Sequence, residues 1–193
     1  VCDRHLGFLP GAGVLCALEP ASDGEWVALA DGGRYRQCAN YSRYNVCNWM
    51  VPAAEGNTLC VSCRLNRIIP NLSEGRNLTL WARIETAKRR LLYTLLQLGL
   101  PVVDRRRDPK QGLAFKFMED PEHDSEFSNA LTPKRQVITG HSTGIITINI
   151  MEAEPSERER MRARMNERYR TLLGHFRHEI GHYYWERLVR PGP

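Results

Sequence analysis

Residues 175–189 read HFRHEIGHYYWERLV, and this stretch decides how the fold is interpreted. It lies in a segment from Arg168 to Val189 where apolar residues recur every three or four positions, as in an amphipathic helix. The recurring apolar residues are Leu172, Leu173, Phe176, Ile180, Tyr183, Tyr184 and Leu188. We therefore predict a single long helix that buries this stripe and carries the histidines and glutamate of the stretch.

The helix would carry a His-Glu-x-x-His motif, running from His178 to His182 with Glu179 in second place. Residues four apart on a helix lie about 40° apart around its axis, so both imidazoles can reach one zinc ion. Glu179 leans toward the same side and can act as the general base that takes a proton from water held by the ion. The motif predicts zinc-dependent peptide hydrolysis, with His178 and His182 as metal ligands and Glu179 as the catalytic residue.

A catalytic zinc ion needs a third protein ligand, and the sequence does not single one out. The alternatives within the chain are Glu186, His141, Glu152 and Glu154. The favoured alternative is a ligand beyond Pro193, which would make the chain a fragment of a longer protein. His175 is expected to support the site or to be partly buried rather than to bind the ion.

All six cysteines lie in the first third of the chain. Cys60 and Cys63 form a Cys-x-x-Cys turn, and with Cys38 and Cys47 they predict a structural zinc site with four thiolate ligands. Two disulfides are the alternative, which would require an oxidising compartment. Cys16 is expected to be a small buried apolar residue.

Cys2 and His5 are separated by the same two-residue gap and form half of a further metal site. We therefore expect one catalytic and one structural zinc ion, with a second structural ion at Cys2 and His5 as an open alternative.

The chain is predicted to be α+β, with a zinc-ribbon module over residues 1–70 and a second domain over residues 71–193. Short strands and turns punctuated by glycine fill the first module, which the metal would stabilise. In the second domain we predict helices over 78–98, with Ser73 as N-cap, and over 156–165, and strands over 113–118, 137–139 and 144–150. Lys88, Arg89 and Arg90 are assigned to the solvent side of the first of these helices.

The chain has 193 residues, 27 Lys and Arg against 22 Asp and Glu, and a formal charge of +5. This modest excess does not demand an anionic partner. No apolar run approaches the roughly 20 residues that cross a bilayer, so no membrane association is expected. Arginine-rich clusters at 88–90 and 105–107 support the alternative of a nucleic-acid or protein binding module with an inactive second domain, but no aromatic residues interleave with them.

Several short sequence motifs, spread over nearly the whole chain, resemble those of one family. They are Cys38-x-Asn40, Cys47-Asn48-Trp49, Cys60-x-x-Cys63-Arg64-Leu65-Asn66-Arg67, Ala87-Lys88-Arg89-Arg90-Leu91, Thr139-Gly140-His141 and the segment Tyr169 to Glu179. They are similar to the "putative zinc-binding metallopeptidase" family with an N-terminal zinc ribbon. The resemblance implies a cytoplasmic protein in which a zincin-like domain follows the ribbon and acts on a peptide or protein substrate that the family leaves unassigned. Zincins commonly bind substrate along an edge strand, and residues 144–150 are our candidate.

Overall fold

The computed structural model describes residues 3–120 and 137–190. Its first part is an antiparallel five-stranded sheet in which the strands follow one another in chain order. These strands are β1 His5–Leu9, β2 Val14–Pro20, β3 Trp26–Ala28, β4 Arg34–Gln37 and β5 Met50–Pro52, with helix α1 Ala39–Tyr44 between the last two. The sheet buries only a small apolar cluster of Leu9, Leu18, Ala28 and Met50. So small a core suits a module that depends on a metal ion for stability.

The long helix α2, Gly75–Gln97, connects the two halves of the molecule. It buries a continuous stripe that includes Trp81, Ile84, Leu91 and Leu95. The helix ends where Gly99 adopts a φ of +65°, a left-handed conformation that glycine accepts without strain. The amide of Leu100 there donates to the carbonyl of Leu95 at 3.0 Å.

The second sheet has four strands in the order β6, β7, β9, β8. They are β6 Asn66–Ile68, β7 Ala114–Met118, β8 Gly140–Ser142 and β9 Ile145–Asn149. β7 is parallel to both of its neighbours, and β8 runs antiparallel to β9 at the edge. β6 begins three residues after Cys63 and belongs to the second sheet, although the sequence analysis assigned residues 66–68 to the first module. The two modules are thus joined by backbone hydrogen bonds as well as by side-chain packing.

Two helices complete the fold, α3 Pro155–Arg164 and α4 Leu172–Leu188. α4 packs against α2 and the second sheet. Its Phe176 ring lies 5.7 Å from the Phe115 ring and 6.4 Å from the Phe117 ring, and all three are fully buried. The α+β class predicted from the sequence, with a cysteine cluster in the N-terminal part, is confirmed.

Several local predictions were wrong at their boundaries. Glu74, not Ser73, precedes α2 as its N-cap. α4 begins at Leu172 instead of Arg168, because the Thr171 hydroxyl caps it by accepting from the amide of Gly174 at 3.1 Å. Residues 137–139 form no strand, since the backbone of Val137 bonds to side chains: its amide donates to the Asp120 carboxylate at 2.6 Å, and its carbonyl accepts from the Asn149 side-chain amide at 3.1 Å.

The largest error concerns Lys88, which was assigned to the solvent side of α2. Its side chain is 0% exposed and its ammonium donates to the Glu85 carboxylate at 2.9 Å. Glu85 is equally buried.

Within residues 3–120 and 137–190, no helix combines the length and the apolar character needed to cross a membrane.

Candidate metal centres

Four cysteine sulfurs meet in one buried cluster in the first module. The Sγ atoms of Cys38, Cys47, Cys60 and Cys63 all lie within 4.8 Å of one another. Every one of these residues is at most 3% exposed, and none forms a disulfide. Their positions follow from α1 and β5, which bring the first pair to the turn that holds the second pair. The structure therefore brings together all four cysteines that the sequence analysis grouped.

The geometry of this cluster suits zinc. Zinc–sulfur distances of about 2.3 Å in a tetrahedron place the sulfurs about 3.8 Å apart, and the Cys47 and Cys60 sulfurs are 3.7 Å apart. Backbone amides also point at the sulfurs: the amide of Cys60 donates to Cys38 and that of Cys63 donates to Cys60, both at 3.4 Å. Such donors stabilise thiolates. The neighbouring sulfurs, Cys38 first, and burial raise the pKa of the Cys60 thiol.

A buried ion pair on α2 borders the cysteine cluster. The Glu85 carboxylate lies 3.9 Å from the Cys63 sulfur, and it also accepts from the Asn66 amide at 2.7 Å and from the Trp81 indole at 3.2 Å. Sequence reasoning missed this pair. The signal was that Lys88 falls on the same helical stripe as the apolar residues Trp81 and Leu91.

The second candidate centre is on α4. The Nε2 atoms of His178 and His182 lie 3.1 Å apart, and their rings are nearly perpendicular at 86°. Both histidines are exposed, whereas Glu179 between them is 8% exposed. The opposite side of the helix is buried through Phe176, which fixes how the motif faces outward. Two neutral imidazole nitrogens directed at one point fit a zinc ion.

No third ligand joins this pair within the described residues, where the four cysteines are the only group of three or more candidate metal ligands. The Glu186 carboxylate lies 4.0 Å from the His141 Nε2. The His141 Nε2 accepts the amide of Gly144 at 3.0 Å. Burial lowers the pKa of His141, against the opposing attraction of Glu186.

The other two carboxylates proposed as third ligands have partners elsewhere. Glu152 is 3% exposed and lies 2.8 Å from the Arg170 guanidinium and 3.0 Å from the His175 Nδ1. Burial raises the pKa of Glu152, but the His175 and Arg170 interactions outweigh it, so the pKa is lowered overall. Glu154 lies 3.4 Å from Arg83. His175 is thus partly buried and lies beside the Glu152 carboxylate.

The edge of the second sheet lies beside the motif helix, but its edge strand is not the predicted one. β9, Ile145–Asn149, is an interior strand, so the assignment of residues 144–150 to the edge was wrong. A turn at Thr143 and Gly144 folds β8, Gly140–Ser142, back over it. His141 of β8 has its ring 6.2 Å from that of Tyr183 on α4. β8 is therefore the edge that borders the histidine pair.

The remaining predicted site residues lie apart from both centres or outside the described residues. His5 is exposed at the start of β1, with its ring 4.8 Å from that of Trp26. Its expected partner Cys2 lies outside the described residues. Cys16 is only half-buried in β2, so its expected burial is not complete.

Comparison with known proteins finds matches to two family models in the chain. Residues 77–193 match the model of a family described as "Putative zinc-binding metallo-peptidase", and residues 1–74 match a zinc-ribbon domain. Uncharacterised proteins of Mycobacterium bovis and Mycobacterium tuberculosis are 42% identical over 188 residues. The match covers 97% of this chain and 48% of each relative, so the chain spans about half the length of these relatives. No match was found among solved structures.

Proposed function

Since the chain belongs to the "putative zinc-binding metallopeptidase" family, we propose that it hydrolyses peptide bonds with a zinc ion held by His178 and His182. The observation that carries the proposal is the 3.1 Å separation of their Nε2 atoms on the exposed face of α4. Zinc at these nitrogens would polarise the substrate carbonyl and activate a water molecule. We further propose that the third ligand comes from outside the described residues.

Within this site Glu179 is the general base. It follows His178 directly and is buried between two exposed histidines, so its carboxylate would be near water held by an ion at these nitrogens. It would accept the water proton and pass it to the leaving amine, so that no covalent intermediate is needed. β8 would bind the substrate backbone as an additional strand, because it is the edge beside α4.

The cysteine cluster would hold a second zinc ion with a structural role, since four buried thiolates leave no open position for water. A further structural ion at Cys2 and His5 stays an untested prediction. Reduced thiols suit a reducing compartment, and the cytoplasm stays our prediction for the location of the protein.

Metal analysis of purified variants tests the ligand assignments. We expect about two zinc ions per chain, with one lost in Cys60→Ser and the other lost in His182→Ala. Glu186→Gln is the matched control on α4 and should keep both ions. Loss of the same ion in both test variants would contradict the division into two centres.

Cleavage of a fluorogenic peptide library tests the activity. Glu179→Gln should retain its zinc yet lose about 10²–10⁴-fold in rate, the usual contribution of a general base. Glu186→Gln should stay close to the wild-type rate. Cleavage that persists in Glu179→Gln would remove Glu179 from the mechanism. Zinc-loaded protein that cleaves no peptide would favour the alternative of a binding module with an inactive second domain.

A further inference from the structure

A basic groove lies where the first module, α2 and α4 meet. The first module contributes Phe8 and Asn48, α2 contributes Arg90 and Tyr93, and α4 contributes Arg177. Its volume is about 620 Å³, which is within the range of pockets that bind small organic ligands. Arg177 precedes His178 on α4, and a step of one residue turns the helix face by about 100°. The groove therefore opens on a different face from the histidine pair.

The groove is positively charged and lacks compensating acid. Three arginines line it, and no Asp or Glu does. The Arg89 guanidinium already has partners within the protein, because it donates to the carbonyl of Val46 at 2.6 Å and lies 3.9 Å from the Glu85 carboxylate. Arg90 and Arg177 are exposed, and in the described part of the chain neither lies within 4.0 Å of a carboxylate. Two guanidinium groups are therefore available to an anion.

An aromatic surface adjoins these arginines, contrary to the expectation that no aromatic residues interleave with the basic clusters. The Tyr93 ring is 43% exposed and meets the Phe8 ring edge-on at 5.8 Å. Phe8 is held in turn by Trp49, with 4.7 Å between ring centroids. The Tyr93 ring is thus supported by the packed Phe8 ring and remains partly exposed to a ligand.

The arginine-rich clusters at 88–90 and 105–107, on which the alternative of a binding module was based, are less suited to bind an anion. Lys88 is buried against Glu85. Arg105 donates to the backbone carbonyls of Gly112 and Pro109 at 3.0 and 2.8 Å, so it serves to hold a loop. The pair Arg90 and Arg177, which the sequence separates by almost ninety positions, becomes a charged surface only in the folded chain.

We propose that this groove binds a nucleotide unit of a single-stranded nucleic acid, with its phosphate on Arg90 and Arg177 and its base on Tyr93. Guanidinium groups match the geometry of phosphate oxygens, and a braced aromatic ring accepts any base by stacking. An acidic peptide would use the arginines and leave the ring without a function. The proposal is independent of the proposed hydrolase activity.

Fluorescence anisotropy with a labelled 12-nucleotide oligo(U) or oligo(dT) strand and the zinc-loaded full chain tests the proposal. Single strands lose affinity with a log–log salt slope of about −0.7 per phosphate contacted. The double variant Arg90→Gln/Arg177→Gln should therefore flatten the slope by about 0.7, since both arginines contact the same phosphate. Tyr93→Leu should weaken binding about tenfold with the slope unchanged, because stacking releases no counterions.

Arg106→Gln is the matched control, since Arg106 is exposed and lies outside the groove. It should bind the strand with the affinity of the wild type. A loss of affinity in this control equal to that of the double arginine variant would overturn the proposal, and so would a wild-type chain that binds neither strand. Displacement by millimolar UMP would support a nucleotide site that also takes free nucleotides. Displacement by oligo-glutamate with equal effect, unaffected by Tyr93→Leu, would assign the groove to acidic peptides and overturn the nucleotide assignment.

Discussion

Replacing Lys88 by methionine should destabilise the protein severely, because it leaves a carboxylate buried without its counter-charge. Glu85 and Lys88 are both 0% exposed, and their charged atoms are 2.9 Å apart. The Lys88 ammonium also lies 5.6 and 5.4 Å from the centroids of the Phe115 and Phe117 rings, which pack on α4. Breaking a buried pair by removing one partner costs about 3–5 kcal/mol.

Urea unfolding followed by tryptophan fluorescence at fixed free zinc measures this cost. With a slope of about 2 kcal/mol per molar urea, the Lys88→Met midpoint should fall by about 2 M. Lys110→Met is the control, since Lys110 is exposed, and it should stay within about 0.5 kcal/mol of the wild type.

The double variant Glu85→Gln/Lys88→Met separates charge burial from lost packing. In the wild type, the Asn66 amide and the Trp81 indole donate to the Glu85 carboxylate. The side-chain oxygen of a glutamine at this position can still accept both hydrogen bonds. The double variant should therefore recover about 2 kcal/mol relative to Lys88→Met. The reasoning is refuted by a midpoint shift under about 0.5 M in Lys88→Met, or by a double variant no more stable than that single one.

Two further predictions concern acid stability and a strained turn. Glu152 has a lowered pKa, because its interactions with His175 and Arg170 outweigh the effect of burial. The stability that the Glu152 carboxylate gives the folded protein is complete above the ordinary pKa of 4.5 and is lost as pH falls through the lower pKa of the folded state. Between about pH 5 and 3, the urea midpoint should therefore fall more steeply in the wild type than in Glu152→Gln, and parallel profiles would contradict this. Gly144→Ala should cost about 1–3 kcal/mol, because Gly144 has a φ of +81° and an added Cβ would lie 2.5 Å from a backbone carbonyl oxygen. Gly140→Ala, where an added Cβ meets nothing within 4 Å, should be close to neutral in the same thermal melts.

The helices were predictable because their signal is local. The stripe on α2 and its glycine stop lie within one stretch of chain, and the helix has almost the predicted bounds. The spacing of His178 and His182 likewise sets the separation of their rings through helix geometry alone. The errors at Arg168 and residues 137–139 have another origin, since each depends on which side chain captures a free backbone group.

The sequence by itself determined the α+β class, the four grouped cysteines and the motif on one helix, because short-range spacing controls each of them. Only the tertiary structure decided that β8 and not β9 forms the sheet edge, since strand order depends on contacts between segments distant in sequence. It also decided that Lys88 is buried with Glu85 beside the cysteines, while Arg90 and Arg177 face a common groove. Charged residues carry no local signal for burial, because their environment depends on which remote partner the fold places next to them.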